Sequence, residues 1–212
     1  MRKLLIAMAL FGFLLTEVGV ASPSSETLRF KVYLDDDPIG EHSFQVLPLG
    51  EEQQVLSRAR FDVDVLFFTA YRYRHESREL WRDGCLERIR ASTDDNGTDL
   101  AVEGRRVGGA LAVEINGQGE RLPACVSTFA YWDRDLLARP RLLNPQTGQL
   151  VNARLEPAGK ERRLYRGREV QAERYRLKAD DLAITLWYSE RGDWIGLESE
   201  VGKGRTLRYE RL

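Results

Sequence analysis

The chain has 212 residues, and its 32 lysines and arginines against 33 aspartates and glutamates leave a formal charge of −1. That balance argues against nucleic acid as a partner, which calls for a basic patch or stripe. Only two histidines, His42 and His75, and two cysteines are present. Neither histidine is spaced with a cysteine or with the other histidine as a zinc site requires, so no metal and no cofactor is expected.

Arg2 and Lys3 open the chain, Leu4 to Leu15 is an almost unbroken apolar run, and Gly19-Val20-Ala21 brings small residues ahead of Ser22-Pro23. This is the layout of a secretory signal peptide over residues 1–21, and it predicts a periplasmic protein. A membrane span needs roughly 20 apolar residues, and Glu17 interrupts this run too early. Residues 22–212 hold no second run of that length. No stable membrane insertion is therefore expected after cleavage, and a single domain with a substantial core is. Without Arg2, Lys3 and Glu17 the formal charge becomes −2.

From there the hydrophobic period is two. Leu28, Phe30, Val32 and Leu34 alternate with Arg29, Lys31 and Tyr33, a half-buried strand. Asp35 to Gly40 is turn chemistry, and Glu41 to Leu47 returns as a strand. Ala59, Phe61, Val63, Val65 and Phe67 share one face; Arg58, Arg60, Asp62 and Asp64 share the other. A long strand, Ala70 to Trp81, turns at Arg82-Asp83-Gly84 into Cys85 to Thr93. Asp94-Asp95-Asn96-Gly97 is a strong hairpin signal. Shorter strands follow at Asp99–Glu103 and Ala110–Asn116, punctuated by Gly117-Gln118-Gly119.

Phe129 to Ala138 breaks the pattern, and its spacing predicts one short helix over Asp133–Ala138. After the turn at Asn144 to Gly148, strands are expected at Leu150–Glu156, Val170–Lys178, Leu182–Ser189, Trp194–Val201 and Arg205–Arg211. Trp187 and Trp194 flank one hairpin and are read as a pair across it. The sum is an all-β, mainly antiparallel domain: a large curved sheet, as a half-open barrel or a sandwich, with one short helix.

In an oxidising compartment Cys85 and Cys125 are expected to form a disulfide. Closing that loop of about 40 residues contributes roughly 4 kcal/mol in the chain-entropy model. The alternatives are two unpaired thiols, or a catalytic thiol for which neither cysteine has a neighbouring histidine in sequence.

Several segments carry a family resemblance: Val32-Tyr33-Leu34 with Ile39-Gly40, Tyr71-Arg72-Tyr73-Arg74-His75-Glu76 leading to Trp81-Arg82-Asp83-Gly84, Leu142-Leu143-Asn144-Pro145-Gln146-Thr147-Gly148, and Leu186-Trp187-Tyr188-Ser189 with Gly192-Asp193-Trp194. In these the chain resembles exported bacterial proteins of the DUF6134 type, and more loosely those of the DUF3108 type, over nearly all of residues 22–212. The resemblance implies an exported β-rich domain and assigns no catalytic residue.

The strand from Ala70 to Arg82 is the most unusual segment. Tyr71, Tyr73, His75, Ser77, Glu79 and Trp81 share one face, aromatic at the ends and polar in the middle. Such a face suits a ligand with an apolar body and a polar head; the structural alternative is a peripheral core whose polar groups satisfy one another. Arg72, Arg74, Arg78 and Arg82 share the other face, read as solvated surface with Asp62 and Asp64 as partners. His75 and Glu79 stand about 13 Å apart by strand rise and form no dyad alone. Asp35-Asp36-Asp37 lacks the alternating ligands and glycine of a calcium loop. The leading expectation is a binding or carrier module for an amphipathic or lipid-like small molecule, with Tyr71, Tyr73, His75, Glu79 and Trp81 as ligand contacts. The alternatives are a structural or interaction protein with a cell-envelope partner, and an enzyme of unrecognised type.

Overall fold

The computed structural model describes residues 25–65 and 68–212. The expected signal peptide lies outside the described residues, as does Phe67 of the third expected strand. A first run of strands comprises β1 (Glu26–Leu34), β2 (Asp37–Leu49), β3 (Glu52–Val65), β4 (Phe68–Arg82), β5 (Cys85–Asp95), β6 (Thr98–Val107), β7 (Ala110–Ile115) and β8 (Gln118–Leu122). A crossing segment then holds β9 (Ser127–Thr128), α1 (Arg134–Leu137) and β10 (Arg141–Leu143). A second run follows: β11 (Leu150–Tyr165), β12 (Arg168–Ala179), β13 (Leu182–Ser189), β14 (Trp194–Val201) and β15 (Arg205–Arg211).

All fifteen strands form one sheet, ordered β8-β7-β6-β5-β4-β3-β2-β1-β15-β14-β13-β12-β11-β10-β9. Neighbours are antiparallel except β9 and β10, which run parallel. Two meanders are thus joined where β15 returns beside β1, with Val32 opposite Tyr209. The end strands β8 and β9 do not pair, so the sheet is open and not a closed barrel. It is nevertheless curled: β9 is brought beside β5, where Leu86 N donates to Val126 O at 3.0 Å. One continuous sheet replaces the sandwich alternative.

Local chemistry explains the tight hairpins. Asp83-Gly84, Asn96-Gly97, Asn116-Gly117 and Arg166-Gly167 are two-residue connections in which both residues have positive φ. Turns of that type follow the natural twist of antiparallel strands. Gly40 answers a different need: a Cβ there would sit 1.9 Å from the Arg60 carbonyl oxygen. Only glycine lets β2 approach β3 this closely.

The core lies on one face of the sheet, where Phe30, Leu86, Val102, Leu111, Leu177 and Leu186 are fully enclosed. The crossing segment fills the space between the meanders. Trp132 packs edge-on against Trp81 at 5.8 Å, and Tyr131 lies against Trp194 at 5.2 Å. The Cys85–Cys125 disulfide, with Cα atoms 4.9 Å apart, fastens its start to β5.

Several expectations are corrected. Residues 118–122 form the edge strand β8 and not mere punctuation. The helix is shortened to four residues, with the Asp133 carboxylate accepting from Asp135 N and Leu136 N. β11 continues through Pro157 and Gly159 to Tyr165, absorbing the interruption as a register shift between Pro157 and Lys160. Trp187 and Trp194 do not pair: a register shift sets Trp187 opposite Gly196 and Tyr188 opposite Trp194. Trp194 joins the main core, whereas Trp187 packs with Ala172 and Ile195 in a separate cluster covered by Tyr165 and Val170.

Candidate functional site

The core face of β2–β5 is unusually polar. One rung across the strands reads Phe30, His42, Ala59, His75, Thr93. His42 Nε2 lies 2.7 Å from Ser57 Oγ and its Nδ1 3.3 Å from the Tyr209 hydroxyl. His75 Nδ1 lies 2.9 Å from Thr93 Oγ1. Burial disfavours the charged imidazoles and lowers His42 to about 3 and His75 to about 4. Both rings are neutral at pH 7. Ala59 stands between them, which puts their strands roughly 10 Å apart.

Further along β4, Trp81 Nε1 and Thr128 Oγ1 donate to Glu79 Oε2, at 3.0 and 3.2 Å. Burial nevertheless dominates and pushes the Glu79 carboxyl up to about 7. Tyr73 stacks on Phe61 with centroids 5.3 Å apart, and its buried hydroxyl has no partner among the described residues. Tyr71 lies at the exposed end of the strand and donates to Asp95 at 2.7 Å.

Four of the five expected ligand contacts, Tyr73, His75, Glu79 and Trp81, are therefore brought together on the interior face beneath the crossing segment. Tyr71 is not. Their bonding matches the structural alternative in part, because His75 and Glu79 each find a hydroxyl or indole partner. Among the described residues neither histidine is hydrogen-bonded to a carboxylate, and both cysteines are consumed in the disulfide. Among the described residues, no group of three His, Cys, Asp or Glu side chains is placed to hold a metal ion.

The opposite face of the first meander is open to solvent. Twist accumulates across β2–β8 and leaves a groove of about 1370 Å³. Six arginines line it, Arg58, Arg78, Arg88, Arg90, Arg105 and Arg121, with four glutamates, Glu76, Glu103, Glu114 and Glu120. Leu56, Leu80 and Val107 add apolar surface. Arg58 Nε meets Glu76 at 2.7 Å and Arg90 Nε meets Glu103 at 3.2 Å.

The expected role of Asp62 is met: Arg74 Nη2 donates to both its carboxylate oxygens at 2.8 Å, and Arg72 Nε lies 3.5 Å from it. Asp64 instead accepts from Thr69 at 2.8 Å. Sequence reasoning followed the arginines of β4 and missed those of β5, β6 and β8. Their signal was the outward parity of Arg88, Arg90 and Arg105, legible only once register aligned three neighbouring strands.

The model of DUF6134, a domain of unknown function, matches residues 30–212. Among solved structures, the crystal structure of a β-barrel-like protein of domain of unknown function DUF1849 from Brucella abortus is similar. It superposes with a TM-score of 0.64 at 10% identity, covering 88% of this chain and 94% of that one. Identity this low shows a shared fold alone. No curated protein matches the chain.

Proposed function

The chain belongs to the DUF6134 family, and from that premise we propose that it is an exported, periplasmic, non-catalytic binding module that carries an amphipathic molecule in the groove of β2–β8. The observation that carries the reading is the groove itself, which is large, open and lined by arginine and aliphatic side chains together. A molecule with an apolar body and an anionic head meets both kinds of surface there. The disulfide suits an oxidising compartment, and among the described residues no helix is long and apolar enough to cross a membrane.

A non-catalytic role is supported by the interior chemistry. The two histidines are neutral, bonded to hydroxyls and separated by Ala59. Each imidazole stands beside a hydroxyl, as nucleophilic catalysis requires, but His42, Ser57, His75 and Thr93 are all buried, out of reach of a substrate.

The interior column is a second seat for the ligand, favoured by the unpartnered Tyr73 hydroxyl. That column is buried, with Trp132 packed on Trp81.

The test is native mass spectrometry of the protein from a bacterial periplasm, before and after organic extraction, with saturable uptake of the neutral probe N-phenyl-1-naphthylamine alongside. A co-purifying amphipath that is lost in Leu56→Asp/Leu80→Asp places the ligand in the groove. Loss in Tyr73→Phe or Trp81→Ala instead places it in the interior. A protein with no bound molecule and no saturable uptake of the probe is not a carrier, and the envelope-interaction reading then takes precedence.

A further inference from the structure

We propose that the groove binds the phosphate group of a lipid, and that Arg78, Arg88, Arg105 and Arg121 hold it. This rests on the groove being the seat of an amphipathic ligand, and it names the charged half of that ligand. Strand register sets Arg78 directly opposite Arg90, and Arg88 directly opposite Arg105. Like charges facing each other across a sheet are destabilising. The chain keeps two such pairs side by side, and the pair without an acidic partner, Arg88 with Arg105, carries a cost to its own folding.

A carboxylate offsets one of these pairs, through Arg90, and leaves Arg88 facing Arg105 without one. Glu103 is engaged by Arg90 and Glu76 by Arg58. Among the described residues Arg78, Arg88, Arg105 and Arg121 form no ion pair. The two remaining acids of the groove make no ion pair with them among the described residues. Glu114 lies on β7 opposite Glu103, diagonal to Arg105, and Glu120 lies opposite Val113 on the exposed edge strand. One rung runs Leu80, Arg88, Arg105, Ala112, Arg121. The rung bearing Arg78 and Arg90 lies two residues along, roughly 7 Å away.

Arg88, Arg105 and Arg121 thus share one rung of the groove, with Arg78 on the next. Planar forks match the oxygens of a phosphate and bind it through paired, charge-assisted hydrogen bonds. Leu56, Leu80 and Val107 border the same strip. A free inorganic anion would leave them and most of the volume unused, whereas a phospholipid lays its acyl chains there.

The experiment is calorimetric titration of the intact exported chain with monomeric dioctanoyl phosphatidic acid, with inorganic phosphate and with N-phenyl-1-naphthylamine. The lipid is expected to saturate a single site. Arg88→Gln/Arg105→Gln should weaken it about 100-fold, as the loss of two charged hydrogen-bonding partners implies, while uptake of the neutral probe changes less than about twofold, since burial of apolar surface carries that binding. The same variant should unfold at a higher temperature, because a like-charged pair is gone. That combination, weaker binding in a more stable protein, is one that a purely structural role would not give.

Unchanged lipid affinity in the double variant overturns the assignment, as does inorganic phosphate binding as tightly as the lipid. A lowered unfolding temperature overturns the like-charge argument beneath it. Uptake of the neutral probe without binding of the lipid removes the phosphate and leaves the amphipath reading standing. Failure of both removes the reading itself.

Discussion

At the scale of single residues, three buried titratable groups set how the fold responds to pH, and they act in opposite senses. His42 and His75 have folded pKa values of about 3 and about 4, below the 6.5 of an unfolded histidine. The unfolded chain gains protons that the folded chain refuses. Their contribution is present above pH 6.5 and is lost as pH falls towards 4 and then 3, on the order of 5 kcal/mol for His42 and 3 kcal/mol for His75. Glu79 does the reverse: its folded value of about 7 exceeds the unfolded 4.5. Stability falls as pH rises from 4.5 to 7, because the unfolded chain releases a proton that the folded chain retains. Glu79→Gln keeps an acceptor for Trp81 and Thr128 and removes the buried charge. Thermal unfolding should show it stabilised at pH 8 and nearly unchanged at pH 5; an equal shift at both values would mean that the carboxyl titrates normally.

At the scale of elements, the crossing segment and its disulfide join the two meanders. Replacing both Cys85 and Cys125 by serine should lower the urea midpoint by an amount equivalent to about 2–4 kcal/mol. If the midpoint does not move, the segment is held by Trp132, Tyr131 and Thr128 alone. Most elements were legible because period-two alternation survives wherever one face is buried, as in Leu28, Phe30 and Val32. The exceptions have local causes. Pro157 and Gly159 would end an ordinary strand. Here a bulge takes them up, and Arg174 donates to Ala158 O from Nε at 3.0 Å and from Nη2 at 2.7 Å. Trp187 and Trp194 sit on opposite sides of the sheet because one extra residue at the hairpin inverts parity. For the site, the sequence showed that Tyr73, His75, Glu79 and Trp81 share a face. It could not show which face curls around the crossing segment and which opens as the groove, because curvature is a property of the assembled sheet.

At the scale of the molecule, the fold depends on its two ends meeting. β1 is flanked by β2 on one side and by β15 on the other, and Leu212 N donates to Arg29 O at 2.8 Å. Removing Arg205 to Leu212 would uncover the edges of β1 and β14 and expose Phe30 and Trp194, which stack 4.1 Å apart beside Tyr209. Unpaired strand edges recruit other chains. The truncated protein should therefore run as large species in size-exclusion chromatography, and a monomeric truncated protein would show that the first meander closes on its own.

The pairing of the first strand with the last also sets a clock. Val32 finds Tyr209 only after everything between them has been made and threaded into place. No early fragment can rehearse the final junction, and contacts so distant along the chain slow folding. A polypeptide delivered in this order waits half-finished, with a sticky margin along β1, until its final seven-residue strand arrives. Arg29, Lys31 and Glu41 stand along those waiting strands, where charge deters pairing with a second chain until the last piece is in hand.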